Sequence, residues 1–202
     1  LGIAALAVFG IVSSRSRASL VVSGLIMIYV IWKYQPKWIF LLIPAGLALA
    51  LTPPLQQRVL DIFSYEQNVQ RVKVWLTAFW MLRDNPLTGI GANAFRVEYA
   101  RIFQANPQLF NLYDIPVLWH AHNMYLRFAS ELGLPGLTAS LVLTISSLRR
   151  IRLINAHTRD RWRYPLEGIG LAILAFFLAN LLDSYWAMPK PIFVFCFLLG
   201  IT

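Results

Sequence analysis

Two histidines separated by one residue are the side chains in this sequence best suited to acid–base chemistry. They lie in the run His120-Ala121-His122-Asn123, shortly before an apolar stretch that begins at Leu134. Histidine titrates near neutral pH and can act as a general base toward a hydroxyl group. On a helix, this spacing would place the two rings on different faces, which argues against shared metal ligation. The pattern therefore predicts a general base, and a purely structural pair is the alternative.

Arginines beside apolar stretches are the side chains best suited to binding an anion. Arg15 and Arg17 lie in a short polar run between two such stretches, and Arg71 lies at the edge of a polar stripe. Arginine holds phosphate oxygens through a planar fork of N–H donors. The alternative is that these side chains snorkel to the interface or pair with lipid head groups.

The composition indicates a membrane protein. Hydrophobic residues make up 58% of the 202 residues and charged residues 13%, with a mean hydropathy of +0.59. Soluble domains carry about 25% charged residues, so a water-soluble core explains this chain poorly. The net charge of +9 is concentrated between apolar stretches and indicates membrane topology, not binding to nucleic acid. A single cysteine, Cys196, excludes an internal disulfide.

Six apolar stretches are predicted to cross the membrane as helices. A hydrocarbon core of about 30 Å needs about 20 residues, and several stretches are shorter than that. Because the first and last stretches meet the ends of the sequence, we expect the chain to be a piece of a longer protein. The six stretches are residues 1–12, 18–32, 38–51, 134–148, 165–182 and 191–202.

The positive charges predict the orientation of these helices. Residues 149–163 contain six arginines and one aspartate, and Lys33 and Lys37 flank the turn after the second stretch. Both regions are therefore predicted to be cytoplasmic. Residues 52–133 and the arginine turn at 13–17 are then periplasmic, where arginines are better explained by an anionic partner.

The segment 52–133 is predicted to contain an amphipathic helix over residues 69–84. Asn85-Pro86 ends this helix, and Gly89-Ile90-Gly91 is predicted to form a turn. Pro135 is predicted in the first turn of the fourth spanning helix. The polar stripe of the amphipathic helix consists of residues at helical spacing, namely Gln70, Lys73, Thr77 and Asp84.

Taken in order, these pieces resemble the O-antigen ligase and O-antigen polymerase superfamily of membrane proteins. The resemblance extends over nearly the whole chain and corresponds to the C-terminal half of such proteins. It is carried by the Ser-Arg-Ser-Arg-Ala turn and by the runs Arg71–Trp75, Asn85–Gly91 with Phe95, His120–Asn123 and Gly133–Gly136.

The resemblance implies an all-α, GT-C-like polytopic transmembrane helical bundle, with residues 1–202 in one membrane domain. Spanning helices at 1–51 and 134–202 would flank the long periplasmic segment of amphipathic helices at 52–133. The resemblance also implies a metal-independent, cofactor-free glycan transferase in the bacterial inner membrane. Its donor would be a saccharide on undecaprenyl diphosphate, and its acceptor a hydroxyl of lipid A core, a polysaccharide or a protein.

Roles for individual residues follow from the same resemblance. His122 corresponds to the proposed general base, and Arg17 and Arg71 correspond to arginines that hold the donor diphosphate. Asn123 would orient the acceptor or cap the following helix. The neighbouring residues that would support the site are Arg15, Lys73 and His120.

Two other kinds of function stay open from the sequence. A polysaccharide polymerase or a protein O-oligosaccharyltransferase of the same superfamily would share all of these motifs. A bicarbonate or other solute transporter is the alternative from a different class. The only acidic residues of the fifth stretch, Glu167 and the adjoining Asp183, lie near its ends, which disfavours an ion site at the membrane midplane. Residues 183–186 are predicted to form a short periplasmic turn that borders the active-site cleft.

Overall fold

The computed structural model describes residues 16–40, 44, 46, 65–108, 110, 118–158 and 160–202. The regular elements in these ranges are all helical, which confirms the all-α prediction for this part of the chain. Short 3-10 turns accompany six α-helices. The α-helices are α1 (Arg17–Tyr34), α2 (Tyr65–Asp84), α3 (Phe95–Ala105), α4 (Met124–His157), α5 (Arg163–Leu182) and α6 (Pro189–Gly200).

The described chain divides after Asn68 into two units. In the first unit, α1 begins after Ser16, whose hydroxyl accepts the backbone N–H of Ser19 at 3.2 Å and caps the helix. The second predicted stretch is confirmed as a helix, with each end within two residues of the prediction. The first predicted span and most of the third lie outside the described residues.

The amphipathic helix predicted at 69–84 is present as α2, and it begins four residues earlier. Its polar stripe was predicted wrongly at Thr77, which is buried and donates its hydroxyl to the Lys73 carbonyl at 2.8 Å. Apolar Val72, Leu76 and Phe79 are instead about half exposed. The helix buries its other face because α3 packs there, a contact that periodicity alone does not predict.

The first hydrophobic core of the second unit forms between α2 and α3. Val74, Ala78 and Met81 of α2 pack with Phe95 and Tyr99 of α3. Two residues from outside the helices complete this core, Phe110 and Ala121. Ala121 is fully buried there, so the core holds the segment that carries both histidines.

A kink at Gly133 divides α4 into two helical segments. Gly133 has φ 69° and ψ −163°, a conformation that essentially only glycine adopts. Pro135 then lies in the first turn of the second segment, as predicted. Because of the kink and because Pro135 has no N–H, the carbonyls of Ser130 and Glu131 need other donors.

The loop over residues 85–93 supplies those donors. The backbone N–H groups of Ile90 and Gly91 donate to Ser130 and Glu131 at 2.9 and 3.0 Å. In return, the Leu134 N–H donates to the Pro86 carbonyl at 2.7 Å. The two glycine-containing motifs found in the sequence are therefore the two halves of one backbone contact.

The fourth spanning helix was predicted to end at Leu148, and this boundary was wrong. α4 continues to His157, so Arg149, Arg150 and Arg152 lie on the helix and not in the following loop. Residues 149–157 contain neither glycine nor proline, and arginine is a good helix former. The helix therefore has no reason to stop where its apolar character ends.

The second core lies among α4, α5 and α6. It consists of Met124 and Ile151 of α4, Ile173 and Phe177 of α5, and Phe195 of α6. Gly170 lets α4 and α5 approach closely, because a Cβ atom there would lie 2.5 Å from the Ile151 side chain. The fifth and sixth predicted spans are confirmed as helices, with ends shifted by about two residues.

Two of these helices, α4 and α5, are long and apolar enough to cross a membrane. Most residues in the apolar parts of these two helices are not buried, whereas a core helix of a soluble protein would be covered on all sides. The shorter helices α1 and α6 are also apolar. These faces suit contact with lipid or with further helices.

Candidate functional site

The histidine segment is held between the two cores. Ala121 is buried in the α2–α3 core and Met124 in the α4–α6 core, and both side chains are fully inaccessible. His120 and His122 flank Ala121 and are only partly buried. His122 adopts φ 49°, a left-handed conformation that is uncommon for residues other than glycine, although histidine is among the enriched exceptions.

The two histidine rings lie side by side, with centroids 4.6 Å apart and planes at 74°. The backbone N–H of His122 also donates to Nδ1 of His120, at a long 3.4 Å. On a helix, the two rings would lie on different faces. These residues instead precede α4 in a non-helical turn, so the two rings can share a ligand.

Asp183 completes the cluster from the far end of α5. Its Oδ1 lies 3.2 Å from Nδ1 of His122, although the two residues are 61 positions apart. The carboxylate follows the last residue of α5, and its Oδ1 also accepts the Ser184 backbone N–H at 2.7 Å. The sequence predicted that this turn borders the cleft, but it did not predict the contact with His122.

The environment keeps Asp183 ionised. Burial alone would raise the pKa of this carboxyl, but hydrogen bonds from the His122 ring and the Ser184 N–H outweigh burial and lower it. The pKa of His120 is also lowered, first by burial and then by the positive charge that the His122 ring has when it is protonated. An anionic carboxylate thus lies beside one imidazole, and the second imidazole stays neutral.

Asn123 caps α4 and connects it to α5. Its Oδ1 accepts the backbone N–H groups of Tyr125 and Leu126 at 2.9 and 3.0 Å, which confirms capping as one of its two predicted roles. Its Nδ2 donates to the Leu181 carbonyl at 3.0 Å. This second bond ties the start of α4 to the end of α5, close to Asp183.

A buried ion pair follows the histidine segment. Nε of Arg127 donates to Glu131 Oε1 at 3.2 Å, as the i, i+4 spacing suggests, and both side chains are largely covered. The other Glu131 oxygen accepts the Asn93 backbone N–H at 3.0 Å. Glu131 therefore fixes the 85–93 loop against the helix that begins at the site.

The predicted cationic residues lie in different parts of the chain. Arg71 and Lys73 lie on α2 and are partly buried, and Nζ of Lys73 lies 6.0 Å from the centre of the Phe110 ring. Arg17 is the first residue of α1, in the other unit. Arg15 lies outside the described residues. The side chains that the structure does bring together are His120, His122 and Asp183.

A family model described as O-antigen ligase matches residues 2–141, which is more than half of the chain. The chain belongs to the O-antigen ligase family. This membership confirms the resemblance drawn from the arginine turn, the two glycine motifs and the His-Asn pair. A search of curated proteins found no match.

The family match spans Arg17, Arg71 and His122 but ends before Asp183. O-antigen ligase family members are glycosyltransferase-like membrane enzymes that use lipid-linked glycans. The only sequence signal for Asp183 is its place at the end of an apolar helix, next to Ser184. Its pairing with His122 comes from the packing of α4 against α5.

Proposed function

We propose that the protein transfers a saccharide from undecaprenyl diphosphate to an acceptor hydroxyl at the periplasmic face of the bacterial inner membrane, without a metal ion. One observation carries this proposal: in a chain of the O-antigen ligase family, the imidazole of His122 is hydrogen-bonded to the carboxylate of Asp183. A general base must hold a free lone pair and be fixed in orientation. The bond to Asp183 fixes the ring of His122 and, in the tautomer with Nδ1–H, leaves the lone pair on Nε2, which supports this assignment.

In the proposed step, the two nitrogens of His122 have different partners: Nδ1 is bonded to Asp183, and Nε2 accepts the proton of the acceptor hydroxyl. The Asp183 carboxylate accepts a hydrogen bond from Nδ1–H, so the lone pair of the neutral ring lies on Nε2. Nε2 takes the proton of the acceptor hydroxyl as that oxygen attacks the anomeric carbon. The bond between this carbon and the phosphate oxygen breaks, and undecaprenyl diphosphate leaves. Asp183 then stabilises the imidazolium ion.

The leaving diphosphate needs positive charge, and we assign this role to Arg17 and Arg71. The family resemblance supports both assignments, and guanidinium groups suit the chemistry because they pair with phosphate in a bidentate way. The family resemblance also offers Arg15 and Lys73 as further cationic residues that would support this role. Fixed donors that stabilise the leaving group are a substitute for a metal ion.

The acceptor is a hydroxyl of lipid A core, a growing polysaccharide or a protein. A solute transporter is less well supported, since residues 134–148 of α4 and 168–182 of α5 carry no ionisable side chain. The Asp183 carboxylate, at the end of α5, is held by hydrogen bonds from His122 and Ser184. This arrangement suits an active site at the membrane surface.

The test uses the full-length protein in a host without its own ligase, supplied with an undecaprenyl-linked glycan. His122→Ala is compared with His157→Ala, which alters an exposed histidine at the other end of α4. We expect His122→Ala to lose about 10²- to 10⁴-fold in transfer rate with donor accumulating, and His157→Ala to transfer normally.

Separate measurements of lipid, polysaccharide and protein products identify the acceptor. A wild-type protein that modifies none of the three, at normal membrane levels and with donor present, would contradict the transferase proposal. Solute uptake by the same cells then tests the transporter alternative. If His122→Ala still transfers glycan, the transferase activity is supported but His122 is not its general base.

A further inference from the structure

We propose that His120, His122 and Asp183 form a binding site for a divalent transition-metal ion such as Zn²⁺, and that a bound ion inhibits the enzyme. Each of the three side chains offers one ligand atom, and these atoms all lie within 4.8 Å of one another. The inhibitory consequence rests on the function proposed above. The binding itself does not.

The donor set is one that zinc prefers. Two imidazole nitrogens and one carboxylate oxygen, with a fourth position left to water, match the composition of three-ligand zinc sites in proteins. The three groups are partly buried, so an ion can enter from solvent. Oδ1 of Asp183 accepts two hydrogen bonds, and an ion bound between Oδ1 and Nδ1 of His122 would replace the one from the imidazole, whose remaining proton would then be on Nε2.

The spacing is close to what a tetrahedral ion needs. Metal–ligand distances of about 2.0–2.1 Å place neighbouring ligand atoms about 3.4 Å apart. His122 Nδ1 and Asp183 Oδ1 are already 3.2 Å apart. The remaining separations, at most 4.8 Å, require a contraction of up to about 1.4 Å, which ring rotation of His120 can provide. The hydrogen bond from the His122 N–H to His120 Nδ1 is long, at 3.4 Å, so it holds that ring weakly.

Inhibition is expected because a neutral imidazole ring has only one nitrogen lone pair available for bonding. Neutral histidine has a single lone pair on its nitrogens, and a metal bond at either nitrogen uses it. His122 then cannot accept the proton of an acceptor hydroxyl. A site that holds the base ready for proton transfer is therefore also a site at which a transition metal blocks it.

Binding is tested on the purified full-length protein after removal of metal with a chelator. Co²⁺ is added and followed by the visible absorption bands of a low-symmetry cobalt site, and Zn²⁺ is then used to displace it. We expect one ion per chain in the wild type and in His157→Ala, the matched histidine control. We expect binding to weaken by about tenfold or more in His120→Ala and in Asp183→Asn, because each loses a direct ligand.

The inhibition arm measures glycan transfer with and without added Zn²⁺, each variant relative to its own metal-free rate. We expect the wild type to be inhibited, and its activity to return with chelator. His120→Ala should need about tenfold more Zn²⁺ for the same inhibition. His120→Asn serves as a second variant if His120→Ala does not fold.

The two arms separate the two proposals. Cobalt binding that depends on His120 and Asp183, in a protein that transfers no glycan, supports the metal site and rejects the transferase function. Glycan transfer by a protein whose metal binding is unchanged in both variants overturns the metal site alone. Inhibition by Zn²⁺ that is equal in wild type and His120→Ala also overturns it.

Discussion

Asp183 determines which nitrogen of His122 is free for chemistry. The carboxylate lies against Nδ1 and is itself held by the Ser184 N–H, so the imidazole cannot easily turn over. The left-handed backbone of His122 costs on the order of 1–3 kcal/mol. Burial of Ala121 and Met124 on either side offsets this strain. Such strain is typical of residues that a fold positions for function.

Asp183→Asn is expected to lower kcat while leaving KM nearly unchanged. The amide keeps the size of the side chain but removes the charge that stabilises imidazolium. Kinetics of the purified full-length protein measure both constants, and Glu167→Gln at the opposite end of α5 is the control. A folded Asp183→Asn protein with wild-type kcat would show that the carboxylate has no part in proton transfer.

Asn123 has two separable bonds, and two substitutions distinguish them. Asn123→Asp keeps the oxygen that caps α4 but loses the Nδ2 donor to the Leu181 carbonyl. We expect it to keep the cap and to lose activity, because α4 and α5 are no longer tied beside the site. Asn123→Ala should also lose about 0.5–2 kcal/mol of stability. Equal stability of the two variants would contradict the capping role.

At the scale of elements, the kink in α4 organises the site. Gly133 frees two carbonyls at the end of the first helical segment, and the loop over residues 85–93 pairs with them. Gly89 allows this approach, because a Cβ atom there would lie 2.3 Å from the Glu131 carbonyl carbon. The first helical segment of α4, which Asn123 caps, is thereby held at its C-terminal end by the loop over residues 85–93.

Gly133→Ala is expected to destabilise the protein. Its backbone angles strain any other residue, on the order of 1–3 kcal/mol, and the added Cβ would lie 2.7 Å from the Pro86 carbonyl oxygen. Gly168→Ala is the control, since that glycine is helical with nothing within 4 Å of the added atom. Melting temperatures of both variants in detergent are compared with wild type. No difference between the two would contradict the docking role of the loop.

The ends of elements were predictable where backbone chemistry sets them. Asn85-Pro86 ends α2, and Pro135 begins the second segment of α4, because proline lacks an N–H and fixes φ. The end of α4 was not predictable from hydropathy, since arginines continue a helix as well as leucine does. Burial of Thr77 depends on α3, which packs against that face.

The contacts that create the site depend on how separate helices pack, and the sequence alone does not predict this packing. His122 and Asp183 meet because α4 and α5 pack together, with Gly170 against Ile151 toward one end and Asn123 bonded to the Leu181 carbonyl at the other. The proximity of the two histidine rings depends on a left-handed residue that no periodicity indicates. By contrast, the family motifs identified His122 directly as a candidate residue, because the family model covers that region.

The orientation of the molecule is a prediction at its largest scale. Arg149, Arg150 and Arg152 cluster at the end of α4, and positively charged helix ends favour the cytoplasm. Since α4 is long and apolar enough to span a membrane, the histidine segment at its other end is expected on the periplasmic side.

Cysteine labelling of cells tests this orientation. Cys196 is first replaced by serine, and a single cysteine is then placed at Gln104 in α3 or at His157 at the end of α4, both exposed positions. A membrane-impermeant maleimide should label Gln104→Cys in cells with a permeabilised outer membrane, and His157→Cys only after lysis. Glycan transfer by each variant confirms that the protein is folded. The reverse labelling pattern would place the site in the cytoplasm, where a periplasmic transferase cannot act.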